Sequence, residues 1–389
     1  MAPYLAAPRG GAGGRRRRGG ARGGAGRTWL RLAGALAVVG AAAAGEAERA
    51  CAPLPRIIIG CWQLLERDAS RANAVATLTA YADAGFTAFD TADIYGPSES
   101  ILGDFRAAYA GTAPLRFFTK YVTSDASREN AVAVNRQSRR ALGVDALDLV
   151  QFHWWDFGDA RYVDAARELV QLRAAGKIVA VAACNFDAPH LRHLLDAGVP
   201  LVANQVQYSL LDRRPENGVV ALASERGLQL TCFGAVAGGW LSDAFLGAPE
   251  PSHREVRGFT VSRRMSRAAR VARALFFSRD RALVRYKASL DQWARGDWAL
   301  FQDLLAALRA VGDDLGGASI AAVAVAWVLD ALDRTCGGSV ILGVRDAAHV
   351  ADAVVARDLR LGDGHRAHIN AVLARGAPPE GDIWSRERG

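Results

Sequence analysis

The chain has 389 residues, 51% hydrophobic and 23% charged, a globular composition with length enough for one large domain or two. Its formal charge of +8 resides in a leader: eight of the 48 basic residues are arginines within residues 1–31, where no acid occurs, and the other 40 balance the 40 acidic residues. The chain after residue 31 is therefore formally neutral, and a nucleic-acid-binding role has no support from charge. The five cysteines (Cys51, Cys61, Cys184, Cys232, Cys336) are odd in number and widely spaced, with no CxxC or zinc pattern. They read as small buried hydrophobes and not as a disulfide framework.

Residues 1–50 read as a disordered basic leader. The Gly/Arg/Ala stretch at 10–26 cannot bury a core, and the apolar run Leu32–Ala43 is too short for a membrane span, which needs about 20 apolar residues. Basic, acid-free and then alanine-rich, the segment predicts a cleavable targeting peptide, in first place an organelle transit peptide (plastid or mitochondrion). A secretory signal with a long basic front, or an extension with no address and a cytoplasmic protein, are the alternatives.

From residue 54 onward, short apolar strands alternate with helical patterns. Strands are predicted at 56–64, 87–93, 116–122, 146–155, 178–186, 201–208, 228–236 and 339–344. Between them lie helices at 70–84, 98–109, 128–142, 160–175, 190–197, 216–226 and 318–332, several followed by a glycine stop. Near-continuous apolar strands predict a parallel sheet buried on both faces, and eight β/α units predict a (β/α)₈ TIM barrel spanning 54–375. Residues 376–389 are left as a tail. No GxGxxG follows the first strand, so a Rossmann site is not expected.

In such a barrel, chemistry sits at the C-terminal ends of the strands. The polar residues predicted there are Asp90 and Tyr95, Lys120, His153, Asn185, and Asn204 with Gln205. Singly, each has a structural reading: a turn cap, a rim aromatic, a core histidine. Lys120 stands out as one of only three lysines in a chain that otherwise uses arginine. Unlike guanidinium, an ammonium shifts its pKa on burial and perturbs its neighbours.

The run Phe89-Asp90-Thr91-Ala92-Asp93-Ile94-Tyr95-Gly96-Pro97-Ser98-Glu99, followed by Phe118-Thr119-Lys120 and Gln151-Phe152-His153, resembles the aldo/keto reductases over about residues 54–360. The resemblance implies an NAD(P)H-dependent oxidoreductase of aldehydes, ketones or sugars, with Asp90, Tyr95, Lys120 and His153 as a catalytic tetrad. Tyr95 would be the general acid, its pKa lowered from about 10 by a Lys120 paired with Asp90. His153 would orient the carbonyl oxygen. Asp93 would be structural.

For the cofactor, the resemblance implies that Asn185 and Gln205 hold the nicotinamide carboxamide and that Phe233 stacks on the ring. The loop from Gly234 through Gly239 to Leu241 would follow the diphosphate, and Gly343 with Arg345 would reach the adenosine phosphate. Cys184 stands where the family has serine, a weaker hydrogen-bonding group. Arg345 favours NADP(H), while the departures after it keep NAD(H) open. Trp62, Trp154 and the adjacent Trp155 are expected to wall the substrate pocket.

The excursion at 250–315 is predicted to be a helical insertion after strand seven. Arg263–Arg285 reads as a solvated face or a cofactor or partner clamp. Trp298-Ala299-Leu300-Phe301-Gln302-Asp303-Leu304-Leu305 resembles a W-x-x-F-Q-x-L-L branch of the family. His365 and His368 lack further ligand types nearby and read as surface histidines; no metal is expected. Three functions stay open: a carbonyl reductase, a cofactor-binding regulatory subunit on the same fold, and a sugar-alcohol or aldose dehydrogenase.

Overall fold

A computed structural model describes residues 53–64, 70–251, 281–344 and 346–388. The predicted leader and Arg345 lie outside the described residues, as does most of the Arg-rich part of the insertion. Eight parallel strands close into a barrel in chain order: β1 Ile57–Gly60, β2 Ala88–Asp90, β3 Arg116–Thr123, β4 Leu147–Trp154, β5 Ile178–Cys184, β6 Leu201–Gln207, β7 Gln229–Phe233 and β8 Gly338–Gly343. Closure runs from β8 to β1, with Ile57 opposite Val340 and Gly60 opposite Gly343. The fold expected from the strand pattern is the one observed.

Seven helices connect successive strands or return to them: α1 Arg71–Asp83, α2 Ser98–Ala108, α3 Arg128–Leu142, α4 Tyr162–Ala174, α5 Ala188–Asp196, α6 Val219–Arg226 and, before β8, α9 Ile320–Asp333. Between α6 and α9 the insertion contributes α7 Arg281–Ala294 and α8 Trp298–Asp314; α10 Val350–Asp358, α11 Asp363–Leu373 and α12 Ser385–Arg388 follow β8. Their ends lie where the sequence places cap chemistry. The side chains of Ser70, Ser127, Asp187 and Ser319 accept from backbone N–H groups of the first turn. Gly143 stops α3 at φ 67°, a left-handed backbone that costs glycine nothing.

The core has two layers. Inside the barrel Phe118 packs with Ile58, Ile341 and the small side chains of Ala88, Ala180, Ala182 and Ala203. The larger layer between strands and helices holds Phe89, Phe105, Phe152, Trp154 and Leu329. Side chains alternate across each strand. In β4, Phe152 and Trp154 therefore face the helices, while Gln151, His153 and the following Trp155 face the barrel interior and its mouth.

The W-x-x-F-Q pattern does structural work. The Trp298 indole donates to Ala248 O (3.0 Å), and Gln302 clasps the loop after β7 by donating to Phe245 O and accepting from Gly247 N. Phe301, Leu304 and Leu305 are buried beneath it.

Of residues 376–389, set apart by sequence as a tail, the described part, 376–388, returns to the barrel mouth. Asn217 donates to Pro379 O and Gly381 O, and Ile383 is buried. The buried Arg214 holds Glu387 through two bonds of 2.9 and 3.1 Å. Among the described residues no helix is long and apolar enough to cross a membrane, and none of the four described cysteines is in a disulfide.

Candidate active site at the barrel mouth

A cavity of about 460 Å³ opens at the C-terminal ends of the strands. Asp90, Tyr95, Lys120 and His153 all line it, so four residues on three strands and one turn converge. The convergence follows from register: β2 ends at Asp90, and the alternation that turns Lys120 inward on β3 sets it beside Gln151 of β4.

Asp90 is nearly fully buried and is held by three donors. Lys120 Nζ donates to Oδ2 at 2.6 Å, while the amides of Gln151 and Gln205 donate to Oδ1 at 2.6 and 2.9 Å. Gln205 Nε2 also donates to Gln151 Oε1. A buried carboxylate is tolerable only with such partners. Lys120 gives a second bond to Thr91 O at 2.7 Å, and its ammonium lies 5.1 Å from the Tyr95 ring centroid. Burial alone would lower the lysine, but the Asp90 carboxylate, together with Tyr95 and Cys184, outweighs that penalty and holds it above its usual range.

Tyr95 departs from expectation in direction. Burial pushes its phenol up to about 12; Lys120 pulls downward but does not overcome burial, with Asp90 adding to the rise. His153 Nδ1 lies 3.1 Å from Cys184 O. A carbonyl only accepts, so Nδ1 carries hydrogen and, in the neutral ring, Nε2 carries the lone pair. Asp93 accepts from Val122 N at 3.2 Å, and burial raises its carboxyl to about 7. It does not line the cavity.

The other predicted residues divide. Asn185, buried at φ 60°, and Gln205 line the cavity, as do Phe233, Gly234, Gly239, Leu241 and Gly343. Gln205 is not left open to a ligand amide as expected: its N–H donors serve Asp90 and Gln151, and its Oε1 faces the Cys184 thiol at 3.9 Å. Asn204 clamps the β5 exit by donating to Phe186 O. Gly234 has φ 75°, and a β-carbon there would come within 2.6 Å of the Tyr286 ring. Trp62 lines the cavity, but Trp154 does not. Trp154 is buried on the helix-facing side of β4, donating to Asp156 O, and of that adjacent pair Trp155 reaches the mouth, edge-on to His153 at 4.6 Å.

Four cavity residues or supports were absent from the predicted site. Gln151 carried a usable signal, since it precedes His153 at period two. Tyr286 and Trp384 carried none, and Arg285 only closed the Arg-rich stretch read as a solvated face or a clamp; they arrive from an insertion and a terminus whose docking no local pattern encodes. Trp384, at φ 60°, stands 5.8 Å from His153 and 6.4 Å from Phe233, ring to ring.

An eight-stranded barrel with a buried Asp–Lys pair, a tyrosine and a histidine at its mouth defines a class of barrel proteins with proton-transfer groups at the strand ends. The Aldo/keto reductase family profile matches residues 56–374, and the chain belongs to that family. It is 32% identical over 163 residues to the methylglyoxal reductase DkgA of Yersinia pestis, a match covering 41% of this chain and 56% of that protein. An aldo-keto reductase of Mycobacterium sp. (strain JLS) is 31% identical over 163 residues, 41% of this chain and 57% of that one. The chain thus spans little more than half the length of these relatives.

Among solved structures it resembles the glycerol dehydrogenase AKR11B4 from Gluconobacter oxydans, with TM-score 0.65 and 23% identity over 85% of this chain and 94% of that one. It also resembles an aldo-keto reductase from Klebsiella pneumoniae solved with NADPH, with TM-score 0.61 and 21% identity over 84% of this chain and 94% of that one. At these identities the likeness is one of fold.

Proposed function

We propose that the protein is an NAD(P)H-dependent oxidoreductase that reduces an aldehyde, ketone or sugar carbonyl, with Asp90, Tyr95, Lys120 and His153 as its catalytic residues. The observation that carries this reading is the buried Lys120–Asp90 pair set under the Tyr95 ring in a cavity shared with His153. The intact set disfavours a regulatory subunit without turnover. The names of the relatives, methylglyoxal reductase and glycerol dehydrogenase, agree with carbonyl–alcohol chemistry in either direction.

A nicotinamide dinucleotide suits the cavity. It is long, it is bounded by the Phe233 ring at one point and by the backbone from Gly234 to Leu241 at another, and it continues to Gly343 and His349. When bound, the nicotinamide supplies or removes a hydride. Asn185, Phe233 and the Gly234–Leu241 loop would hold it, with Gly343.

In reduction, Tyr95 gives its phenolic proton to the carbonyl oxygen. A phenol raised to about 12 keeps that proton at neutral pH but is a weak acid, so transfer depends on the cation beside it. Lys120 stabilises the phenolate that forms, and Asp90 with its three donors fixes Lys120. Neutral His153, donating through Nδ1 to Cys184 O, offers Nε2 as acceptor to the hydroxyl of the alcohol. Donation from Nε2 to the carbonyl requires the protonated ring.

Tyr95→Phe should retain NADPH binding, read by fluorescence, and lose about 10²- to 10⁴-fold in rate. Full rate in that variant would end the mechanism. NADP(H) is proposed first, on Arg345, as the cofactor of the Klebsiella structure also suggests. Asp346 and Asp352, which line the far end of the cavity, favour NAD(H) as the second reading, because carboxylates suit a ribose hydroxyl and repel a phosphate. The ratio of dissociation constants for NADPH and NADH decides between them.

The W-x-x-F-Q-x-L-L segment supports membership of the corresponding branch of the family. The basic leader supports import into an organelle, testable by the destination of residues 1–50 fused to a fluorescent protein.

A further inference from the structure

The cavity holds a cation that the proposed mechanism leaves unused. Arg285, on α7, is half-buried at the mouth, surrounded by aromatic rings. Its guanidinium carbon lies 5.1 Å from the Trp384 centroid, 5.4 Å from Phe233, and 5.8 Å from both Trp62 and Tyr286. Rings attract the charge but offer their faces, not lone pairs in the guanidinium plane. Arg carries five N–H donors in a fixed fork.

Among the described residues no side chain or carbonyl accepts from that fork, and no carboxylate pairs with it. The carboxylates that could do so are already engaged. Glu387, close enough to feel the charge of Arg285, is bound by Arg214; Asp212 is bound by Arg214 as well, at 2.7 Å. Asp90 is held by Lys120. Among the described residues the cavity therefore contains one compensated cation at the reacting end, Lys120, and one uncompensated cation beside it, Arg285. Trp384 lies between the reacting end and this second cation, touching His153 on one side and Arg285 on the other.

We propose that Arg285 is a specificity-determining residue that receives a carboxylate carried by the carbonyl substrate, so that the preferred substrates are short oxo acids and not uncharged aldehydes. This rests on the carbonyl-reductase reading. A planar carboxylate matches the guanidinium fork with two parallel bonds, and the aromatic surround lowers the local dielectric, which strengthens the pair. The same donors could instead meet a phosphate of the dinucleotide, since Tyr286, the next residue, packs on Gly234 of the loop. The test separates the two sources.

The full chain is assayed by NADPH oxidation with 4-oxobutanoate and butanal, which differ by the carboxylate, for wild type, Arg285→Met and Arg285→Lys. Wild type should prefer 4-oxobutanoate in kcat/KM. Arg285→Met should lower kcat/KM for 4-oxobutanoate by about 10- to 100-fold, mostly in KM, as expected for a lost charged hydrogen-bonding pair. Butanal should move within about threefold, which also reports an intact fold. Arg285→Lys, with charge but no fork, should fall between. The proposal is overturned by no preference in wild type, by equal losses on both substrates, or by a change of more than about threefold in the NADPH dissociation constant. If wild type turns over neither substrate with NADPH or with NADH while other carbonyls are reduced, the oxo-acid preference fails; if no carbonyl is reduced, the reductase reading fails and succinate decides this one. Saturable tryptophan quenching by succinate, lost in Arg285→Met, supports the site, and its absence overturns it.

Discussion

Replacing Lys120 by Met tests the centre of the site. The Lys120 side chain is 4% exposed and that of Asp90 6%, with 2.6 Å between Nζ and Oδ2. Methionine keeps the length and removes the charge. Asp90 is then a buried carboxylate served only by the amides of Gln151 and Gln205. Breaking a buried pair from one side costs about 3–5 kcal/mol, because a charge is left without its counterpart. That is a large share of a typical stability of about 5–15 kcal/mol. Asp90→Asn should cost about as much, by leaving the ammonium with Thr91 O and the face of Tyr95. The double variant carries no buried charge, so its loss should fall short of the sum by about 2–3 kcal/mol, the upper part of the range for directly contacting pairs. Urea unfolding of the four proteins closes the cycle. Turnover should nonetheless be lost in both single variants and not return in the double, since nothing then favours the Tyr95 phenolate. Losses that add within about 0.5 kcal/mol would refute the argument that the two charges exist in this core only for each other.

Two further predictions concern proton supply and the loop after β7. With the Tyr95 phenol raised to about 12, reduction should be nearly flat from pH 6 to 9, while alcohol oxidation, which needs the phenolate, should rise with pH over the same range. A reductive rate that falls with a midpoint below pH 8 would mean that another group supplies the proton. Gly234→Ala should destabilise the protein by about 1–3 kcal/mol and weaken cofactor binding, because alanine resists φ 75° and its β-carbon meets Tyr286 at 2.6 Å. Urea melts and NADPH titration check both effects, and an unperturbed variant would show that the loop can move away from Tyr286.

The backbone of the site was legible before the fold was known. Asp90 and Tyr95 follow an apolar strand and precede Gly-Pro turn chemistry, and Lys120 and His153 lie near the ends of the next two strands. A parallel barrel brings successive strand ends to one mouth, so position along each strand was enough to predict their convergence. The same rule, applied one step further, separates His153 from Trp154: adjacent strand residues face opposite ways, and the expectation that Trp154 walls the pocket failed on that alternation. Trp155, two residues past His153, met the condition.

What the linear chain determined by itself is what local physics encodes: strand and helix periods, caps such as Ser127 and Gly143, and polar groups at strand ends. The tertiary structure decided quantities that depend on everything packed around a group. Whether Tyr95 titrates below or above 10 is a balance between burial and the Lys120 charge, and burial is a property of the whole mouth. Whether Gln205 serves a ligand or Asp90 depends on a side chain 115 positions away. Arg285 and Trp384 reach the cavity from an insertion and from a terminus, the latter fixed by the Arg214–Glu387 ion pair. Such contacts close long loops at a small entropic cost and leave no local trace, because nothing near either residue repeats with a period that its neighbours must satisfy.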